Sequence, residues 1–273
     1  MSRTLAAGLH GLIKGLTGLE GRRRGAMTQA RLVERIETDL VHTIETAHGP
    51  IRAMTSRGPH LAAAAFGFAE EEPELLAWID GFPAGARFWD VGAATGLFSI
   101  YAALQGADVL AFEPKATSYG VLVEHLALNG LGDRVLPLAV AFSDRTETTR
   151  LSLSAMAAGS GGNSVGGHAN QFGEHATVFN QGALAYRLDD FASAFGLPAP
   201  DYLKIDVDGV EPLILNGGPE TLRAVKSVMI EVEGENADRS DQLIDPPLAA
   251  AGLVERKNVR DQGSKRNRLY VRA

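Results

Sequence analysis

Apolar residues recur along this chain with two alternating periods. Short runs at 87–91, 109–112, 135–142, 202–207 and 228–232 have the length and bounding residues of buried strands. Between them, 98–104 and 118–128 carry helical patterns, the second closed by Asn129-Gly130. Strand and helix in alternation predict a parallel sheet covered by helices, an α/β fold. Two further strand-like runs, 253–259 and 269–271, lie near the C-terminus.

The first 69 residues follow another pattern. Leu5, Leu9, Leu12, Ile13 and Leu16 stand at helical spacing, flanked by Arg3, Lys14 and the run Arg22-Arg23-Arg24, while Gly8, Gly11, Gly15 and Gly18 lower the intrinsic helicity. A second helix is predicted over 27–39, with Leu32 and Ile36 four apart, then a hairpin over 40–54 turning near His48-Gly49. A helix over 70–79, with Pro73 in its first turn, leads into the alternating region. The expected division is an N-terminal helical and hairpin extension over 1–69, a cap or oligomer contact, and a catalytic domain over 70–273. Residues 154–184 are rich in Gly, Ser, Asn and Ala, with His168 and His175 among them. They are expected to form a long loop or lid over an acceptor substrate.

Composition narrows the picture. A length of 273 residues with 45% hydrophobic content supports one sizeable core. The net charge of −7 is uneven, since residues 1–60 hold nine Lys/Arg against five Asp/Glu. The acidic remainder argues against a nucleic-acid partner. The absence of cysteine excludes disulfides and thiolate metal sites. The N-terminal apolar positions are too few for a spanning helix and show no convincing secretory h-region or cleavage site; the lack of cysteine leaves the compartment open, and a cytoplasmic enzyme fits it. Residues 3–24 could pack on the domain, meet another subunit, remain an extension or touch a membrane peripherally. Oligomeric state is not legible.

The richest chemistry lies at Phe88-Trp89-Asp90-Val91-Gly92-Ala93-Ala94-Thr95-Gly96-Leu97, a strand, a glycine turn and a helix start. Glycines there admit a ligand close to the backbone, and the helix presents unpaired N–H groups. A dinucleotide G-x-G-x-x-G counted from Gly92 would need glycines where Ala94 and Leu97 stand, and no G-x-x-x-x-G-K-[ST] occurs. What remains is D-x-G-x-x-x-G, followed by a second strand ending in Glu113-Pro114. A carboxylate at that place, about 20 residues on, can accept both hydroxyls of a ribose. The pairing suits S-adenosylmethionine.

Downstream, Lys204-Ile205-Asp206-Val207-Asp208-Gly209 with Glu211, Leu215 and Gly217 resembles the K-I-D-V-E-G-x-E-x-x-x-L-x-G signature of the FkbM family of methyltransferases. Asp90-Val91-Gly92-Ala93-Ala94-Thr95-Gly96 resembles that family's D-[IV]-G-A-N-x-G, and Phe112-Glu113-Pro114 its F-E-P block. Ala141-Phe142-Ser143-Asp144, Leu188-Asp189-Asp190-Phe191 and Asn267-Arg268-Leu269-Tyr270 match further blocks in order, so the resemblance runs over about 70–273. Ala94 departs from the usual Asn and Asp208 from the usual Glu. Glu72-Pro73 matches the family's E-P-x-T block, with Leu75 in place of Thr.

The resemblance implies a Rossmann-like class I methyltransferase with a seven-stranded, mostly parallel sheet and an antiparallel edge strand. It implies S-adenosylmethionine as cofactor, held by Asp90, Gly92, Ala94, Gly96, Glu113, Ser143, Asp144 and Asp206, and O-methylation of a hydroxyl on a glycan or secondary metabolite. For catalysis the candidates are Asp206, Lys204 and Glu211. Asp206 would act as general base or hold the cofactor's ammonium, and Lys204, two residues before it on one strand face, would restrain it or be structural. Asp208 and Glu211 together could bind an acceptor hydroxyl or a divalent cation, although no metal site is assigned. Glu231 and Glu233 could reach the acceptor, and His168 and His175 are alternative bases. Two rival readings stand beside this one: a cofactor-binding module without turnover, and a nicotinamide-dependent oxidoreductase.

Overall fold

The computed structural model describes residues 2–166 and 177–273. The chain opens with helices α1 (Ser2–Gly18) and α2 (Arg22–Asp39) and a hairpin of β1 (Val41–Ile44) with β2 (Ile51–Met54). Helices α3 (Pro59–Glu71) and α4 (Pro73–Asp80) follow, then β3 (Arg87–Val91), α5 (Leu97–Gln105), β4 (Asp108–Phe112), α6 (Ala116–Asn129) and β5 (Val135–Leu138). A second group of strands comes next: β6 (Ala141–Phe142), β7 (Glu147–Leu153), β8 (Ser164–Val165) and β9 (Phe179–Tyr186). The chain then runs through α7 (Leu188–Ala194), β10 (Tyr202–Ile205), α8 (Glu211–Asn216), α9 (Pro219–Ala224) and β11 (Ser227–Glu231). It ends with α10 (Gly234–Asp238), α11 (Ser240–Leu243), α12 (Asp245–Ala250), β12 (Leu253–Glu255), α13 (Lys257–Arg260) and β13 (Asn267–Arg272).

Seven strands form the central sheet in the order β12-β13-β11-β10-β3-β4-β5. Five are parallel, and β13 runs antiparallel to both β11 and β12. This is the expected class I arrangement with its antiparallel edge. Alternation along the strands sorts side chains to two cores. Phe88, Val109, Ala111 and Met229 pack under α4, α5 and the β1–β2 hairpin. Trp89, Leu203, Ile205, Val228 and Ile230 pack on the other face, where Trp89, Phe112, Phe142 and Phe191 meet mostly edge to face.

Four local differences from the sequence expectation have physical causes. The predicted helix over 70–79 is broken at Glu72 (φ −136°, ψ 60°), because the residue before Pro73 is driven out of helical geometry. The predicted strand over 135–142 is two: β5 stays at the edge of the main sheet, where Pro137 is tolerated, and β6 leaves to pair with β9. The 253–259 run holds strand only to Glu255 before turning into α13. Within 154–184, β8 and β9 are strands, and β9 pairs along its whole length with β7, a strand the sequence pattern did not mark. Both β7 and β9 are largely exposed, so their identity comes from pairing and not from apolar periodicity. His168 and His175 lie outside the described residues.

Candidate functional site

The carboxyl ends of β3, β4 and β10 open into a cleft with about 160 Å³ of accessible space. Gly92, Ala94, Glu113, Pro114, Lys115, Asp206 and Asp208 line one side of it. Val140, Ala141, Phe142, Leu151 and Val165, from the second sheet and its approach, line an apolar side. Gly159, Ser160, Gly161 and Asn163 cross over it.

Strand register builds the polar wall. Lys204 pairs with Asp90 on one side and Met229 on the other, so two residues further on Asp206 falls beside Glu231. Lys204 is 3% exposed, and its Nζ stands 3.4 Å from Asp90 Oδ1, donates to Asp206 Oδ2 at 2.9 Å and lies 3.4 Å from the Gly92 carbonyl. Ser99 donates to the other Asp90 oxygen at 2.6 Å. Burial works against the Lys204 charge, but the carboxylates of Asp206, Asp90 and Glu72 overcome it and hold its pKa above the ordinary value.

Asp206 is 30% exposed toward the cleft. Burial would raise its pKa, yet Lys204, a hydrogen bond with Glu231 and Arg266 pull it below the ordinary value. Glu231 shows the opposite: burial, then the Asp206 charge, push it up, so the two carboxyls are shifted in opposite directions. Arg266 closes the group, 3.0 Å from Glu231, 3.2 Å from Glu72 and 3.6 Å from Glu233. Burial and the Asp206 charge raise Glu72 as well. Among the described residues, no group of three or more His, Cys, Asp or Glu is arranged to hold a metal ion.

The glycine turn is held by Glu113. Its Oε2 accepts from the Ala94 amide at 2.9 Å and its Oε1 from the Lys115 amide at 2.8 Å. A carboxylate has about four acceptor sites, so acceptor capacity remains toward the cleft. Burial drives this carboxyl up to about 7, against those two bonds. Gly92 has φ +83°, and a Cβ there would stand 1.8 Å from the Asp206 carbonyl oxygen, so only glycine lets β3 and β10 close together at the turn. Ala94 also has positive φ, +49°, which for alanine costs about 1–2 kcal/mol.

Other candidates fall elsewhere. Asp90 is buried beneath the turn as partner of Lys204, and Gly96 begins α5 against Leu122. Ser143 and Asp144 do not line the cleft: the Ser143 hydroxyl and Asp144 carboxylate meet each other at 3.3 Å, and the Ser143 amide donates to Tyr186. Glu211, expected near the reacting groups, is turned away. It accepts from the Gly209 amide at 3.0 Å and the Asn236 side chain at 2.7 Å, which ties the signature loop to α10. Burial raises its carboxyl to about 7.

Sequence reading missed Lys115 and Arg266. Lys115 directly follows the Phe112-Glu113-Pro114 block and Arg266 directly precedes Asn267, so adjacency to matched blocks was the available signal. Lys115, 2% exposed, donates to the Ser160 carbonyl at 3.0 Å and hydroxyl at 2.5 Å. From the opposite side, Asp208 accepts from the Gly162 and Asn163 amides at 2.8 and 3.3 Å. Asp208 has φ +61°, a conformation Asp adopts more readily than most residues.

This strand order, with a glycine turn after the first sheet strand and an acidic residue after the second, defines a class I methyltransferase. The model of the methyltransferase FkbM domain matches residues 90–250, more than half of the chain, and the protein belongs to that family. It is therefore an S-adenosylmethionine-dependent methyltransferase, and the nicotinamide reading is set aside. No protein of curated function matches the sequence. Similar folds include a SAM-dependent methyltransferase from Agrobacterium tumefaciens, at 10% identity and TM-score 0.46, with 85% of this chain and 69% of that one covered. Precorrin-6y C5,15-methyltransferase from Geobacter metallireducens is similar at 13% identity and TM-score 0.40, covering 67% and 70%.

Two predictions come from the turn. Because Asn tolerates positive φ better than Ala, Ala94→Asn is expected to raise unfolding free energy by about 0.5–1 kcal/mol in urea denaturation. Glu113 accepts ribose hydroxyls best as a carboxylate, and its pKa of about 7 in the free protein places the titration there. Affinity for S-adenosylhomocysteine is thus expected to be about tenfold lower at pH 6 than at pH 8. In Glu113→Gln the affinity should be weaker and the inflection near neutrality absent, measured by calorimetry.

Proposed function

We propose that the protein methylates a hydroxyl of a small-molecule or glycan acceptor, with Asp206 as general base. The observation that carries this reading is a carboxylate at the end of β10 that lines the cleft 2.9 Å from the buried Lys204 ammonium, which with Arg266 favours its ionised form. An alcohol is a poor nucleophile until its proton begins to leave, so an ionised acceptor within hydrogen-bond reach is the group the reaction needs. S-adenosylmethionine supplies an electrophilic methyl on sulfonium. Gly92, Ala94 and Glu113 would hold its ribose side, and Val140, Phe142 and Leu151 would pack on its adenine.

Asp206 would accept the hydroxyl hydrogen, orient the acceptor oxygen in line with the sulfonium methyl and take the proton as the oxygen–methyl bond forms and the sulfonium–methyl bond breaks, leaving S-adenosylhomocysteine. Lys204 positions Asp206 from below and does not touch the acceptor. The segment over 154–163 acts as a lid, tied down by Lys115 and Asp208 on either side of the cofactor cradle. The acidic character of the chain beyond its first 60 residues supports a small acceptor over nucleic acid. The cytoplasmic expectation is kept as part of this proposal. No helix among the described residues is long and apolar enough to cross a membrane.

Asp206→Asn should lower kcat by about 100-fold or more against a hydroxyl acceptor while S-adenosylhomocysteine affinity stays within about threefold. Loss of that affinity instead would make Asp206 an anchor for the cofactor ammonium and overturn its role as base. Limited proteolysis within the lid should slow when cofactor product and acceptor are both bound, and Lys115→Met should remove much of that protection. Equal cleavage with and without ligands would rule the lid out.

A further inference from the structure

The hairpin of α1 and α2 lies outside everything assigned so far. One side of α1 is already used: Thr17 is buried, its Oγ1 accepts from the Gln29 amide at 2.5 Å, and a Cβ at Gly25 would stand 2.2 Å from the Thr17 carbonyl oxygen. That contact packs α1 on α2. Another side carries Leu5, Leu9, Leu12 and Leu16, which are 52–67% exposed, and Leu19, just past the end of the helix, is 86% exposed. At the helical turn of about 100° per residue, the four helical leucines fall within an arc of about 60°.

The rest of the hairpin says what would cover this arc. Residues 1–24 contain five Lys/Arg and one Glu, a net charge of +4 in a chain whose total is −7, and no acidic residue precedes Glu20. Arg22, Arg23 and Arg24 are exposed and begin three residues after Leu19, past Glu20 and Gly21. Gly8, Gly11, Gly15 and Gly18 have nothing within 4 Å of a built Cβ, so no neighbour supports these weak helix formers. A leucine arc on a cationic hairpin, with Lys14 on the opposite side of α1 and Arg22–Arg24 at the start of α2, matches the headgroup layer of an anionic bilayer. A second copy of this surface would instead bring two cationic hairpins together.

We propose that α1 and the start of α2 form a peripheral membrane-docking surface for an anionic lipid bilayer, with the five leucines immersed and Arg22–Arg24 against lipid phosphates. This places the methyltransferase at a membrane surface without a spanning helix. It stands independently of the identity of the acceptor.

The test is cosedimentation of the full chain with vesicles of phosphatidylcholine alone and of phosphatidylcholine containing a third phosphatidylglycerol. Binding to the anionic vesicles is expected to be at least about tenfold stronger and to weaken with salt. The pair Leu9→Asp and Leu16→Asp should abolish it, and replacing Arg22, Arg23 and Arg24 by Ala should reduce it, both with unchanged S-adenosylhomocysteine affinity as the sign of an intact domain. The proposal is overturned if the wild-type chain binds neither vesicle or both equally, or if the leucine variants bind as well as wild type. It also fails if light scattering shows a dimer that the leucine substitutions convert to monomer without any vesicle binding.

Discussion

The site depends on one buried cation. Lys204 sits in the middle of the sheet between Asp90 and Asp206, and the parallel register of β3, β10 and β11 leaves it no other place. Taking such charges out of water costs several kcal/mol per ion, so the group is not there for stability alone. Its effect is positional. Lys204 bonds toward the Gly92 carbonyl as well, so one ammonium group holds the glycine turn, the floor of the cleft and the carboxylate that faces it.

Charge is distributed unevenly around that cation. Asp206, Glu231 and Glu72 lie close together, and with Lys204 and Arg266 as the nearby cations the cluster cannot be fully ionised without strong repulsion. Lys204 favours the charged form of the carboxyl nearest it, while burial and the Asp206 charge disfavour that form in Glu231. The break at Glu72, imposed by Pro73, and the loop before β13 bring Glu72 and Arg266 into this group from parts of the chain far apart in sequence. Carboxyls of one cluster are thus shifted in opposite directions, an arrangement suited to proton transfer.

The second sheet shapes the other half of the cleft. By leaving the main sheet after β5, the chain brings Ala141 and Phe142 under the cofactor cradle, and the β7–β9 ladder carries the 154–163 segment over it. Phe142 and Phe191 join this sheet to the core through edge-to-face contacts with Trp89 and Phe112, so the apolar wall is continuous with the core of the main sheet. Lys115 and Asp208, each two residues beyond a cradle carboxylate, then hold the crossing segment from both sides.

Much of this was legible in the amino-acid order. Buried strands in an α/β sheet announce themselves by continuous apolar runs, and the glycine turn, Glu113 and the Asp206 block are local motifs whose geometry is set within a few residues. Those features located the parallel sheet, the glycine turn at its centre and the family. The β7 and β9 strands were not legible, because exposed strands carry little periodicity and exist only through pairing across 26 or more residues. Ser143, Asp144 and Glu211 sat in matched blocks yet are not among the residues that line the cleft, since what a residue meets depends on where its strand or loop docks. Lys115, Arg266 and the upward shift of Glu231 likewise required the assembled structure: burial and the approach of distant charges set them, and neither is a property of neighbours in sequence.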